Sequence, residues 1–351
     1  MRADEESMEF RYPVGKIFSG DEHTVRGAYE KFHAQVVDDV RLCNGPTGYS
    51  ERRTGIAREA SVTGPGTFYG HAQRTVTFAP SKPGEYGWWI QRADLKEQLN
   101  TLVSVRNVWT SARNIVLRSG NPRNYLRMVE HIVALRLGMG IDDLTLRVEE
   151  GDPPLFDRSS MDLIEAIDKA GIVEYDEPAR YVTVKEPVTF AGDRGDFLTF
   201  LPPENGEKKL RMDCAINFKS IIGQQRIVFD VTPDTFRYGA FARTNASHRQ
   251  MLMVKAFGFI FADTRNLGYT QDNILIHGSK KFYGEPRFVH ESSGKALEPA
   301  WHRSTLDLLA AIALIDTGRF VGRVVSYCAG HTLDVRAVTQ LYMHDLLEPV
   351  K

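Results

Sequence analysis

Met128-Val129-Glu130-His131-Ile132 is the stretch on which the reading of this chain turns. Around it Leu126, Val129, Ile132, Val133 and Leu135 recur with a helical period, which predicts a helix over 125–138 with one face buried. Glu130 and His131 then sit side by side in the middle of that helix. A carboxylate beside an imidazole can move a proton or hold a divalent metal. It can equally be a charged pair where a helix meets solvent, so the surroundings must decide.

The chain has 351 residues, enough for two domains with cores of their own. A hydrophobic content of 42% and a net charge of −1 fit a soluble globular protein and give no electrostatic reason to expect nucleic acid. Three cysteines, Cys43, Cys214 and Cys328, lack paired or metal-like spacing and suit reduced thiols better than a disulfide framework. Residues 1–7 are acidic rather than leader-like, and the longest apolar run, 308–315, is too short to cross a bilayer. A cytoplasmic protein without a membrane span is expected.

Working outward, residues 1–19 read as irregular or as a short edge strand. Asp21-Glu22 can cap a helix over 23–42, with Val25, Tyr29, Phe32, Val36 and Val40 on one face. Such a face must pack on the main body or on a second copy of the chain. Strands follow over 56–62, 74–78, 87–90 and 144–148, with a hairpin over 103–117 and a helix over 161–170 ended by Gly171. The plan then repeats: strands over 181–184, 188–190, 196–201, 211–217 and 226–230, and a helix over 232–242. Strands over 257–261, 273–277 and 322–328 and helices over 304–315 and 335–347 complete it. The fold class expected is α+β: two two-layer α/β sandwich domains with their helix layers packed together, plus an N-terminal helical extension. The boundaries expected are 1–52, 53–177 and 178–351. Gly64-Pro65-Gly66-Thr67-Phe68-Tyr69-Gly70 is not a dinucleotide fingerprint, since its spacing is wrong and no βαβ unit follows.

Several motifs resemble one family in order. They are Gly64-Pro65-Gly66, Glu130-His131, Gly140-Ile141-Asp142-Asp143, Pro153 to Ser160, Val254 to Phe259, Asp272-Asn273-Ile274 and Ala329-Gly330-His331-Thr332-Leu333. The sequence resembles UDP-3-O-acyl-N-acetylglucosamine deacetylase, a zinc amidase, over roughly 53–341. The resemblance implies that fold, with the active site at the seam between the halves. It makes Glu130 the general base, His131 a metal ligand, and His331 the histidine that protonates or steadies the tetrahedral intermediate.

The same resemblance implies departures. The family's zinc ligands include a helix histidine and an aspartate four residues later, with a second aspartate at the eighth position. Counted from Gly322 backwards and from Gly294 forwards, those slots fall on Ser304, Leu308 and Ile312. His302 is about 200° round the helix from Ser304 and is expected to point away. Asp307 is about 100° from the Leu308 slot. A one-residue bulge could bring back one of these two, not both. On this register no metal and no cofactor are expected, with His131 retained alone. Thr305 replaces a lysine that helps with the sugar nucleotide, and Ala256 replaces the threonine of Ala-Arg-Thr-Phe-Gly-Phe that assists the oxyanion. Phe68 replaces a histidine, and Phe257 and Phe259 would flank the substrate.

The leading expectation is therefore a metal-independent, repurposed enzyme that uses Glu130, His331 and His131 for acid–base chemistry on a small-molecule intermediate. Elimination, isomerisation, cyclisation or condensation would suit such a pair. One alternative is a catalytically silent relative that binds a ligand or a protein partner. The other is a zinc-dependent N-acyl amino-sugar deacetylase with ligands rearranged around His302 or Asp307. The N-terminal helix could support a homo-oligomer.

Overall fold

The structure, a computed structural model, describes residues 10–68, 70–97, 99–257 and 267–350. It is mixed α/β. A five-stranded sheet runs in the order Ala60–Pro65, Gln73–Ala79, Leu144–Val148, Trp88–Arg92, Thr101–Leu102. Its central strand, Leu144–Val148, pairs antiparallel with Gln73–Ala79 and parallel with Trp88–Arg92. The helix Met161–Ala170 buries Leu163, Ile164 and Ile167 and ends at Gly171, whose φ of 74° only glycine adopts freely. The helix Glu130–Gly138 is buried along nearly its whole length and packs on the helical run Glu298–Ala313. That helix–helix seam is the core of the molecule.

A seven-stranded sheet carries the rest, in the order Lys16–Ser19, Val188–Ala191, Phe197–Leu201, Gly322–Tyr327, Leu210–Phe218, Gly223–Asp230, Asp39–Arg41. All five residues of Phe197–Leu201 are buried, as expected of a strand covered on both faces. Leu198 and Phe200 turn toward the helix seam, and Phe197 and Leu201 turn the other way. There they meet the helix Glu22–His33, capped by Asp21, through Val25, Ala28, Tyr29 and Phe32. Tyr29 stacks on Phe197 at 4.2 Å between ring centroids. The N-terminal helix thus spends its apolar face on its own chain rather than on a second copy.

That helix is shorter than the periodicity predicted. It stops at His33, and Asp39–Arg41 joins the sheet edge in parallel with Gly223–Asp230. Val36 and Val40 are 79% and 45% exposed. The run Val36-Val37-Asp38-Asp39-Val40 is poor in helix formers. Asp38 has better use elsewhere: its carboxylate accepts the Arg226 backbone N–H at 2.9 Å and pairs with Lys295 at 2.7 Å. The strand expected over 56–62 is two strands, Arg52–Ile56 and Ala60–Pro65.

Three further corrections bear on function. Tyr125–Leu126 is a strand paired with Val116–Arg118, and Met128 takes a left-handed φ of 50°. The helix therefore starts at Glu130, and Glu130 and His131 are its first two residues rather than its middle. The last long helix starts at His331, not four residues later. The helix expected over 304–315 begins at Glu298 and contains a π-helical stretch, Arg303–Leu308.

Candidate active site

Two helix starts and one helix interior meet at the seam. Glu130 and His331 open their helices, where the unsatisfied backbone N–H groups favour negative charge. Glu130 is 3% exposed; its Oε1 accepts the backbone N–H of Ile115 and lies 3.7 Å from His331 Nε2. Its Oε2 has no hydrogen-bond partner among the described residues. His331 Nε2 is also 3.7 Å from Asp307 Oδ1. Glu130 and His331 are therefore brought together across the seam, with a second carboxylate, Asp307, beside them.

His302 and Asp307 both face this centre. His302 Nε2 stands 3.3 Å from His131 Nε2, and its Nδ1 stands 3.5 Å from Asp307 Oδ2. The expectation that His302 points away, and that at most one of the two could be recovered, is wrong. In an α-helix five steps leave a residue about 140° round from its starting direction. The π turn takes one extra residue into the helix and so keeps His302 and Asp307 on one side. The slots chosen by counting turn into the core instead. Ser304, Thr305, Leu308 and Ile312 are all fully buried, and Ser304 Oγ donates to the carbonyls of Ala300 and Trp301 at 2.8 and 3.2 Å.

Thr244 completes the cluster. Its hydroxyl lies 2.8 Å from His302 Nε2 and 3.3 Å from His131 Nε2. On the other side of the His131 ring, Ser160 Oγ is 3.3 Å from Nδ1. Ser160 is delivered by the loop after Pro153-Pro154, which docks on the segment before Thr244: Ser159 Oγ donates to the Ala242 carbonyl at 2.7 Å. Thr244 opens the strand Thr244–Ser247, which pairs in parallel with Ile274–His277.

The electrostatics follow from burial and from these neighbours. Burial pushes the Glu130 carboxyl upward, partly opposed by His331 and the Ile115 N–H. Burial, reinforced by His302, pushes His131 down to about 3, so this ring is a neutral nitrogen donor at working pH. Burial acts against charge on Asp307, yet His302 and His331 hold it below the usual carboxylate range. Burial also acts against protonating His331, and Asp307 and Glu130 overcome it and raise its pKa. The bias is thus toward a proton on His331 and toward ionisation of Asp307.

The other expected site residues fare differently. Phe68 is buried beneath the Arg127 guanidinium, 3.5 Å from the ring centroid, and its backbone N–H donates to Asp152. Ala256 and Phe257 belong to the helix His248–Phe257, which takes Phe257 from the strand expected over 257–261, and Phe259 lies outside the described residues. The segment matched to Ala-Arg-Thr-Phe-Gly-Phe was therefore the wrong one. Ala242-Arg243-Thr244 reads Ala-Arg-Thr outright, and its threonine is the one in the site.

The donors fit a zinc ion in kind: two imidazoles and one carboxylate is a common catalytic set. The spacing of the imidazoles also fits, because two nitrogens each about 2.0–2.1 Å from a shared tetrahedral ion are about 3.3–3.4 Å apart. Among the described residues no three His, Cys, Asp or Glu side chains already enclose one point, since Asp307 meets the far nitrogen of the His302 ring.

Fold and cluster together define a mixed α/β protein built round a buried imidazole–carboxylate centre at a helix seam. The family model for UDP-3-O-acyl N-acetylglycosamine deacetylase matches residues 53–343, and the chain belongs to that family. It is 26% identical to the UDP-3-O-acyl-N-acetylglucosamine deacetylases of Brucella ovis and Brucella melitensis biotype 2 over 294 residues, 82% of this chain and 93% of each relative. No helix among the described residues is long and apolar enough to cross a membrane.

Proposed function

We propose that this chain is a zinc-dependent N-acyl amino-sugar deacetylase in which His131, His302 and Asp307 hold the metal. The observation that carries this reading is the approach of His131 and His302 to 3.3 Å, next to a π turn that keeps Asp307 on the same side as His302. When bound, zinc supplies a Lewis acid for an amide carbonyl and lowers the pKa of a coordinated water. Glu130 offers its unpartnered Oε2 as a proton acceptor for an attacking water, and its raised pKa suits it to that role near neutral pH. His331, protonated between Asp307 and Glu130, donates to the leaving amine or steadies the oxyanion. Thr244 offers a hydroxyl hydrogen bond beside the reacting centre, and Ser160 fixes the His131 ring from behind. We further place residues 53–177 and 178–351 as two α+β domains that meet at this centre, and the substrate as a small cytoplasmic amino-sugar derivative.

The experiment is acetate release from UDP-3-O-acyl-N-acetylglucosamine by the purified chain, with and without a zinc chelator. The reading expects chelator-sensitive release restored by zinc. Turnover indifferent to chelator and to His302→Ala, but abolished by Glu130→Gln, would favour metal-free acid–base chemistry. The contact of Asp307 with His302 Nδ1 rather than Nε2 is the observation on that side.

A further inference from the structure

We infer that Glu298, which touches none of the reacting groups, is the positioning residue that sets His131, His302 and Thr244 against one another. Glu298 is completely buried at the start of the helix that carries His302 four residues later. Its carboxylate gathers two separate arms of the chain. Oε1 accepts the backbone N–H of Arg243 at 2.9 Å and its Nε at 2.8 Å, while Oε2 accepts Arg243 Nη2 at 3.1 Å and the backbone N–H of Arg287 at 2.7 Å.

Each arm ends at the centre. Arg243 is followed by Thr244, whose hydroxyl bridges the two imidazoles. Arg287 donates to the Phe241 carbonyl at 2.9 Å and to the Asp157 carbonyl across the seam. Asp157 stands three residues before Ser160, the hydroxyl behind the His131 ring. Arg243 adds bonds to the carbonyls of Gln271 and Glu285, at 2.9 and 2.7 Å, so its guanidinium is held from three directions. One carboxylate thus fixes the strand that presents Thr244, the helix that presents His302 and, through Arg287, the loop that backs His131. Fully satisfied buried networks of this kind rigidify what they join, whereas one missing partner leaves a desolvated charge.

The test uses the full-length, metal-free chain. The imidazole nitrogen signals of His131 and His302 are recorded by NMR at one pH for the native chain, Glu298→Gln and Arg243→Lys. Asp213→Asn, which breaks the buried Asp213–Arg226 pair on the face of the seven-stranded sheet turned toward the N-terminal helix, is the stability control. Both His signals are expected to move in Glu298→Gln and Arg243→Lys and to stay in place in Asp213→Asn. Should Glu298→Gln fail to fold, Arg243→Lys carries the comparison. Unmoved His131 and His302 signals in the folded variants, or equal movement in the control, overturn the assignment. A second arm rests on the zinc reading: cobalt(II) titration should show at least tenfold weaker binding in Glu298→Gln. If the native chain binds no cobalt(II), the zinc reading fails while the imidazole signals still decide the role of Glu298.

Discussion

Removing one residue from the π turn should leave the centre intact, and the structure says why. Thr305 lies in the middle of Arg303–Leu308, is fully buried, and has a hydroxyl with no hydrogen-bond partner among the described residues. Deleting it brings His302 and Asp307 from five steps apart to four. In a regular α-helix four steps leave about 40° between them, whereas five would leave about 140°. The extra residue and the π turn should therefore cancel, with the segments on either side keeping their positions. Relief of the orphaned hydroxyl contributes about 1–3 kcal/mol, against about 1 kcal/mol of lost methyl packing beside Gly239. The deletion variant should be unchanged or more stable by about 2 kcal/mol in urea titration. It should also bind cobalt(II) within about threefold of the native affinity, a difference of about 0.7 kcal/mol. A folded variant that has lost cobalt(II) binding would refute the claim that the π turn is what aims Asp307.

Other consequences are as direct. Thr244→Val should fold normally yet lower kcat at least about tenfold, since it removes the hydroxyl that bridges His131 and His302; unaltered kcat would remove Thr244 from the mechanism. Phe32→Ala should cost about 3–5 kcal/mol in urea, because Phe32 is fully buried between the N-terminal helix and the sheet; a loss below about 1 kcal/mol would mean that helix is not part of the cooperative core. His33 accepts the Tyr12 backbone N–H, and burial lowers its pKa to about 4, below the ordinary 6.5. A histidine depressed on folding stabilises fully above its unfolded pKa and loses that contribution as pH falls toward the folded value. Stability should therefore drop by about 1 kcal/mol between pH 7.5 and 4.5, discounted for half-exposure, and His33→Gln should flatten that part of the profile.

Much of this architecture is legible in the chain because it is written in periodicity. The strands Leu144–Val148 and Tyr181–Val184 and the helix Met161–Ala170 fall where the apolar pattern put them. Glu130, His131 and His331 could be picked out because each lies inside a recognisable run of neighbours. Boundaries were harder. Nothing in Tyr125-Leu126-Arg127-Met128 shows that tertiary pairing with Val116–Arg118 overrides a helical pattern, so Glu130 was placed in mid-helix. His302 and Asp307 were lost for a sharper reason. Rotational arguments assume 100° per residue, and a π turn breaks that assumption without any signature in composition. Thr244 is legible in Ala242-Arg243-Thr244, but Lys255-Ala256-Phe257-Gly258-Phe259 carries the glycine–phenylalanine half of the same motif and competes with it.

Metal analysis of the full-length chain, purified from cells supplied with zinc, tests the central claim most directly. The account predicts about one zinc per chain in the native protein and less than about a tenth of that in folded His302→Ala and Asp307→Ala variants. A folded native chain that carries no zinc and takes up none, or one whose zinc survives both substitutions, would contradict it.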